Sequence, residues 1–436
     1  MALRALPSGL CPRFPYCRAR TTPSFGKPPV MAQMSAAPRA RTPLSLPELT
    51  VMLASLTATV AFSIDAMLPA LPQIAAELSP DAINRAQLVL TAFVLGMGVG
   101  TLFAGPISDA IGRKKTITGG IAIYLVGAFV AAHAQSLEAL LAARLLQGIG
   151  AAGPRITVMA LVRDLFAGRE MARVTSFIMM IFILVPAVAP SIGAVVISFA
   201  GWRGVFWAFM VFGLIGVSWL NIRQPETLAP EHRRPLSVSK LSAAAREVLS
   251  HADVRLYIIT MTLGFGQMFA LLSSAQQFYA VHGVTDTFPI WFAVGALMAG
   301  TGSIFNARFV MHLGMRKIVK GSYIMQIIVS GVMLVLVVTG MTDGGAGFPL
   351  IFLYTVSVFW MAGVTFGNLN ALALEHMGHI AGMAASIVTA IATVGAVLIA
   401  APVGLAFNGT ALPIVVATFL CSALAWWLMR NTSRDS

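Results

Sequence analysis

The chain carries 16 acidic residues, and Asp65 is the one that lies inside an apolar stretch rather than in a tail, a loop or at a stretch's edge. Loss of hydration disfavours the charged form of such a carboxylate, so it is placed to load and release a proton. A simpler role is also open, because Asp65 sits near the end of its run and can anchor that end of a helix. Two cations, Arg144 and Arg155, lie within another apolar run. Each costs about 2.5–3.5 kcal/mol to insert at a bilayer's centre, so each must face a polar interior or a partner. For Arg144, hydrogen bonds to backbone carbonyls are the structural alternative. Gln147, Gln267, Gln276, Asn368 and Asn370 are the amides expected to line the same interior, together with Gln277 and Asn306. Each is equally able to hydrogen-bond across helices.

A second group is compact in sequence: Gly105, Asp109, Gly112 and Arg113, followed by Lys114 and Lys115. An aspartate at a helix end can hold Arg113 or a neighbouring helix terminus by charge-assisted hydrogen bonds, while the glycines permit close approach and a tight turn. The arrangement reads as a latch. Pro186, Pro190 and Gly193 form a third group, in which the prolines remove backbone hydrogen bonds and kink a closely packed helix. The seven histidines are dispersed, with no HExxH pattern, and Cys11, Cys17 and Cys421 are scattered, so neither a metal site nor a disulfide framework is expected. No phosphate loop ending in GK[ST] is present. An enzyme and an ATP-driven pump are both disfavoured, and no cofactor is expected.

These groups need a scaffold that water does not dissolve. The 436 residues are 58% hydrophobic and only 10% charged, with a mean hydropathy of +0.84, against about 25% charged in soluble domains. Apolar runs long enough to cross a hydrocarbon core of about 30 Å recur at 48–70, 87–108, 116–134, 138–163, 172–199 and 204–222. Six more follow at 254–280, 288–310, 318–340, 348–374, 381–407 and 411–430. The expected fold is therefore an all-α membrane protein of twelve spans in two six-helix bundles, 48–222 and 254–430. A polar linker, 223–253, joins the bundles, a basic disordered tail covers 1–47, and 431–436 form a short C-terminal tail. The tail resembles a transit peptide in being Arg-rich and acid-free; an over-long start or a plain cytoplasmic tail is the expected reading, with Met31 or Met34 as natural starts.

The net charge of +13 invites a nucleic-acid reading, but the basic residues sit in loops. Placing the N-terminus in the cytoplasm puts all but four of the 29 Lys and Arg on that side. Arg85 and Arg203 fall on the other side and Arg144 and Arg155 inside a span, so both termini are expected to be cytoplasmic. Asp109-Ala-Ile-Gly112-Arg-Lys-Lys has a counterpart in Met311-His-Leu-Gly314-Met-Arg-Lys. Equivalent turns imply equivalent halves, with a substrate cavity between them near the midplane.

At residues 48–430 the chain resembles the major facilitator superfamily, and within it the drug:proton antiporters of the Bcr/CflA type. The resemblance rests on Gly105-Pro-Ile-Ser-Asp109-Ala-Ile-Gly112-Arg113-Lys-Lys, on Arg144-Leu-Leu-Gln147-Gly-Ile-Gly150-Ala-Ala, on Pro186 to Gly193, and on Asp65 shortly before Leu68-Pro-Ala-Leu-Pro72. Glu375-His376-Met-Gly-His379 resembles the family's link between the tenth and eleventh helices. It implies a monomeric, multi-pass inner-membrane transporter that exports drugs or small amphipathic molecules in exchange for protons, in contact with lipid and not with nucleic acid. A major facilitator carrier of a metabolite is the alternative. The chain departs from the Bcr/CflA pattern at Met159, where an arginine is usual, and Arg155 stands one helical turn earlier.

Overall fold

The structure, a computed structural model, describes residues 44–430 apart from 345, 346 and 376, with all of their side chains except those of 172 and 183. His376, the tail to residue 43 and residues 431–436, which the sequence reading treats as tails or as a boundary histidine, lie outside the described residues.

Helices account for almost all of what is described. The first half holds α1 (Leu46–Asp65), the short α2 (Leu71–Leu78), α3 (Leu88–Ile111), α4 (Arg113–Ala132), α5 (Leu137–Leu165) and α6 (Gly168–Arg223). The second holds α8 (Ala252–Val281), α9 (Phe288–Leu313), α10 (Met315–Val338), α11 (Phe348–Leu374), α12 (Ala381–Leu405) and α13 (Leu412–Arg430), with α7 (Val238–Ser250) between the halves. Among the described residues, eleven helices are long and apolar enough to cross a membrane. One of them, α6, has 56 residues, or about 84 Å of helix at 1.5 Å per residue, which a ~30 Å core cannot contain in one pass. Gly201, with φ 63° and ψ −174°, breaks the helical path inside it. Two legs result, and with them twelve crossings.

Sequence reasoning places these spans within a few residues, because hydropathy and turn signals coincide at their ends. It misses two elements. α2 is an eight-residue helix fixed to the second leg of α6, where Glu77 accepts hydrogen bonds from Trp202 Nε1 and Arg203 Nη1, each at 2.7 Å. α7 falls in the stretch read as a plain linker. Ser237 caps it by accepting from Lys240 N, and Ala244 and Val248 bury one face among residues of the second half.

Helices differ in how much of their surface the protein covers. α1 is buried along almost its whole length, as expected for a helix at the centre of a bundle. α9 and α10 leave Ile290, Leu297, Ile304, Ile328 and Val335 exposed, apolar surface that suits lipid rather than water. α5 is wedged between its neighbours: a Cβ on Gly148 would come 2.0 Å from the Phe93 carbonyl oxygen of α3, and one on Gly150 2.4 Å from Tyr124 N of α4.

The two ends of the molecule are packed differently. The end that carries the α3–α4 and α9–α10 turns is rich in Lys and Arg and is here termed the basic end. There each half has its own apolar core, one around Leu49, Leu53, Ile117 and Leu161, the other around Tyr257, Met261, Leu369 and Ile387. At the opposite end a single core runs through both halves, from Met67, Phe93 and Phe206 to Phe269, Tyr279 and Phe352.

Candidate functional site

The polar residues chosen from the sequence fall on α1, α5, α8 and α11, the first and fourth spans of each half, apart from Asn306 on α9. Asp65 is the last residue of α1. It is 5% exposed, and among the described residues no other aspartate or glutamate is buried. No described side chain pairs with its carboxylate. The following residue packs tightly: a Cβ on Gly193, in the first leg of α6, would lie 2.2 Å from the Ala66 carbonyl oxygen. Gly193, three residues after Pro190, is what lets this leg close on the end of α1.

Arg144 is fully buried, and each of its three guanidinium nitrogens donates a hydrogen bond. Nε donates to Val89 O of α3 at 3.2 Å, Nη2 to Ser63 O of α1 at 3.0 Å, and Nη1 to Gln147 Oε1 at 2.7 Å. The Phe93 ring lies 4.3 Å from its Cζ. Ser63 also hydrogen-bonds through Oγ to Tyr124 Oη at 2.6 Å. The guanidinium thus ties three helices together two residues before Asp65, with carbonyl dipoles in place of a counter-ion.

Arg155 has none of these partners. It is half-buried, its Nη1 is shielded from solvent, and no described group accepts a hydrogen bond from it. Met159, one turn on, packs against the apolar core of the first half.

In the second half the expected amides do not converge on Arg144. Gln267 Oε1 accepts from Ser422 Oγ of α13 at 3.0 Å, and Asn368 Nδ2 donates to Asn306 Oδ1 of α9 at 2.6 Å. Gln267 Nε2, Gln276 Oε1 and Asn370 Oδ1 are buried without a described partner. Such atoms lose free energy unless water or a ligand satisfies them.

The group at 105–113 forms a network at the basic end. Arg113 Nη1 donates to Asp109 Oδ1 at 2.5 Å and to Ser108 Oγ at 3.0 Å, and its Nε donates to Asp164 Oδ2, at the end of α5, at 2.9 Å. Gly112 holds φ 106° and ψ 160°, a region essentially reserved for glycine. Gly105 is a crossing point between halves, where a Cβ would stand 3.1 Å from Ser386 Oγ of α12.

Sequence reasoning missed Glu226, which it left among loop acids. Its Oε1 accepts from Arg113 N at 2.8 Å and its Oε2 from Lys114 N at 3.2 Å, so it caps α4 and complements that helix's positive end. Thr227 Oγ1 donates to Asp164 Oδ2 at 3.2 Å, and Arg234 N donates to Asp109 O at 3.0 Å. The start of the connecting segment is therefore bound to the first half. Its end is bound to the second, through α7 and the His379 Nε2 to Glu247 Oε1 contact at 2.7 Å.

At the opposite end, side-chain hydrogen bonds join the halves directly. Asn84 Nδ2 donates to Leu405 O at 3.1 Å and Phe407 O at 2.6 Å, Ser274 Oγ donates to Gln87 Oε1 at 2.7 Å, and Gln87 bonds Gln277. With the shared core beneath it, this clasp closes that end. A bundle pair clasped at one end over a shared core, with a separate core for each half at the other, is the two-half architecture of a membrane carrier.

The comparisons agree with that class. The pattern of the Major Facilitator Superfamily matches residues 53–400. The chain is 30% identical over 385 residues to a bicyclomycin resistance protein homolog of Haemophilus influenzae, covering 86% of this chain and 93% of that protein. It is 31% identical over 299 residues to a chloramphenicol resistance protein of Pseudomonas aeruginosa, covering 65% and 69%. Among solved structures, the partially occluded inward-open xylose transporter XylE of E. coli superposes with a TM-score of 0.71 at 12% identity, over 90% of this chain and 98% of that one. The chain belongs to the Major Facilitator Superfamily and is a multi-pass membrane transporter.

Proposed function

We propose that this chain exports drugs or small amphipathic molecules in exchange for protons, by alternating access between two half-bundles. The observation that carries the reading is Asp65, the buried acid without a described partner at the end of the central helix α1. A carboxylate that is stable in a dry interior when protonated, and exposed to water when the clasp opens, is a proton carrier. The resistance proteins of Haemophilus and Pseudomonas support the class of cargo. The likeness to XylE concerns the fold and carries nothing about cargo.

The basic end is assigned to the cytoplasm by its excess of Lys and Arg, which puts both termini inside and makes the described state inward-facing. The bacterial relatives support a bacterial inner membrane, and one chain supplies both halves of the pathway, so a monomer suffices. Residues 48–222 and 254–430 are the rocking units, with 223–253 as their strap. Asp109, Gly112 and Arg113 latch the basic end, Gly105 is the contact between units, and Pro186, Pro190 and Gly193 shape the wall against α1. Arg144 holds α1 in place, and the polar lining is left to the amides with a buried atom that has no described partner, Gln147, Gln267, Gln276 and Asn370, with Asn368 tied to Asn306 beside them.

The test is substrate uptake into inverted vesicles carrying Asp65→Asn. Substrate exchange is expected to persist while its response to a pH gradient disappears. Gradient-driven uptake that survives in the variant would remove Asp65 from the mechanism.

A further inference from the structure

Arg113 and Arg144 both find acceptors within the fold. Arg113 is held by Ser108, Asp109 and Asp164, and Arg144 by Val89, Ser63 and Gln147. Arg155 is drawn into a spanning helix with a shielded Nη1, and no described acceptor or counter-ion meets it. An unpaired cation in such a place is costly, and a protein keeps one where a ligand neutralises it.

Its position fits a substrate contact. Residues 144, 148, 151 and 155 follow helical spacing, so Arg155 shares the Arg144 face of α5. It lies eleven residues further along, about 16 Å nearer the basic end. From the other direction it is nine residues before Asp164, about 13 Å beneath the latch. This is the depth at which the halves no longer share a core. One turn closer to the surface Met159 joins the apolar packing of the first half, and the polar stripe ends.

We infer that Arg155 anchors an anionic group of the transported molecule, so that the substrates are amphipathic compounds bearing a carboxylate or a similar oxyanion. The inference rests on the export reading above and names its substrate class. A guanidinium fork accepts a carboxylate bidentately, and the same unpaired charge repels an organic cation. Arg155 is also remote from Asp65, since α1 is reached through Arg144, about 16 Å away along α5. The substrate's charge and the proton therefore occupy separate places, and exchange is enforced by which side each is exposed to. An anion leaving as a proton enters carries two positive charges inward, whereas a monocation leaving for a proton carries none. An inside-negative potential drives the first exchange and not the second.

Three dyes on one xanthene ring system test this with the full chain in detergent: fluorescein, an anion; rhodamine B, a zwitterion with a free carboxylate; and rhodamine 6G, its esterified cationic relative. Fluorescence anisotropy is expected to show tighter binding of the two carboxylate dyes than of rhodamine 6G. Arg155→Gln is expected to weaken the carboxylate dyes about tenfold or more, the loss of one charged hydrogen-bonding pair, and to leave rhodamine 6G unchanged. Arg155→Lys keeps the charge without the fork and is expected to fall between, so the comparison stands even where the glutamine variant fails to fold. Failure of fluorescein to bind, preference for rhodamine 6G, or an equal loss for all three dyes would overturn the inference. Proton-driven dye transport in vesicles is a separate readout. Its absence with the binding pattern intact counts against the export reading and not against Arg155.

Discussion

The α3–α4 and α9–α10 turns share a backbone but not a purpose. Gly112 and Gly314 take nearly the same conformation, φ 106° and ψ 160° against φ 80° and ψ 149°. Each N–H reaches the carbonyl four residues back, at 3.2 Å from Ser108 O and 2.9 Å from Val310 O. Around Gly112 the side chains Asp109, Arg113, Asp164 and Glu226 converge. A Cβ on Gly112 would lie 2.3 Å from Glu226 Oε2, whereas nothing lies within 4 Å of one on Gly314. Met311 stands where Asp109 would be and is 87% exposed, and Met315 replaces Arg113. The repeat thus fixes the path of the chain, and the Asp109–Arg113 pair, which the second copy replaces with Met311 and Met315, turns a bend into a latch.

The largest effect is expected from removing the cation at the centre of the first turn. Arg113→Ala removes a largely buried cation whose acids are 43% exposed at Asp109 and 22% at Asp164, and about 2–3 kcal/mol of stability is expected to be lost with these charged hydrogen bonds. Met315→Ala, at the equivalent position of the second turn, removes a partly buried side chain that packs against the second half's core and is expected to cost nearer 1 kcal/mol. Thermal melts of the two variants in detergent check the order, and equal losses would erase the distinction between the turns.

Next comes the pair of glycines. Both Gly112→Ala and Gly314→Ala place a side chain in a glycine-only region, at about 1–3 kcal/mol each. Only the first also displaces Glu226. Transport is therefore expected to fall well below the loss of folded protein in Gly112→Ala and to track it in Gly314→Ala. Parallel behaviour in transport assays normalised to folded protein would mean that the turn's shape, and not its charges, controls the mechanism. A smaller effect follows for Glu226→Gln, which keeps acceptors for the α4 amides but removes the charge at that helix terminus. About 0.5–1 kcal/mol of stability is expected to go, measured by the same melts at low salt, where screening is least.

What the sequence disclosed follows the range of the forces involved. Spans are local properties of 20 or so consecutive residues, and hydropathy finds them. The break at Gly201 was legible as a turn between apolar runs even though the helix continues on either side. Glu226 was not, because the amides it caps are 112 and 113 residues away and nothing near Glu226 distinguishes it from other loop acids. α7 escaped for a related reason: its packed face, Ala244 and Val248 with the half-buried Leu241 and Ala245, is short and acquires meaning only from the second half beneath it. Arg144 and Arg155 looked alike in sequence, both single cations in one apolar run. The fold separates them, since the Val89 and Ser63 carbonyls that hold Arg144 belong to helices that meet only after folding.

The smallest effect is expected from a graft, and it sharpens the comparison most. Met311→Asp with Met315→Arg copies the Asp109–Arg113 pair onto the second turn at the same spacing. The backbone there is already in place, so if the pair itself made the latch, the graft would strengthen the basic end of the second half. The first turn's pair does not act alone: Asp164 from α5 fixes the Arg113 Nε, and Glu226 fixes the amides behind it. The second turn has no described equivalent of Glu226, as the empty surroundings of Gly314 show, and the grafted acid would stand as exposed as Met311 is now, with only its partner at 315 partly covered. An exposed pair of this spacing contributes about 0.3–0.5 kcal/mol at most, and salt removes much of it. The expected outcome is a melting curve within error of the parent and unchanged transport. A marked gain in stability, or a loss of transport, would show that two side chains suffice to make a latch from this turn, and that the third and fourth charges at the first turn are dispensable.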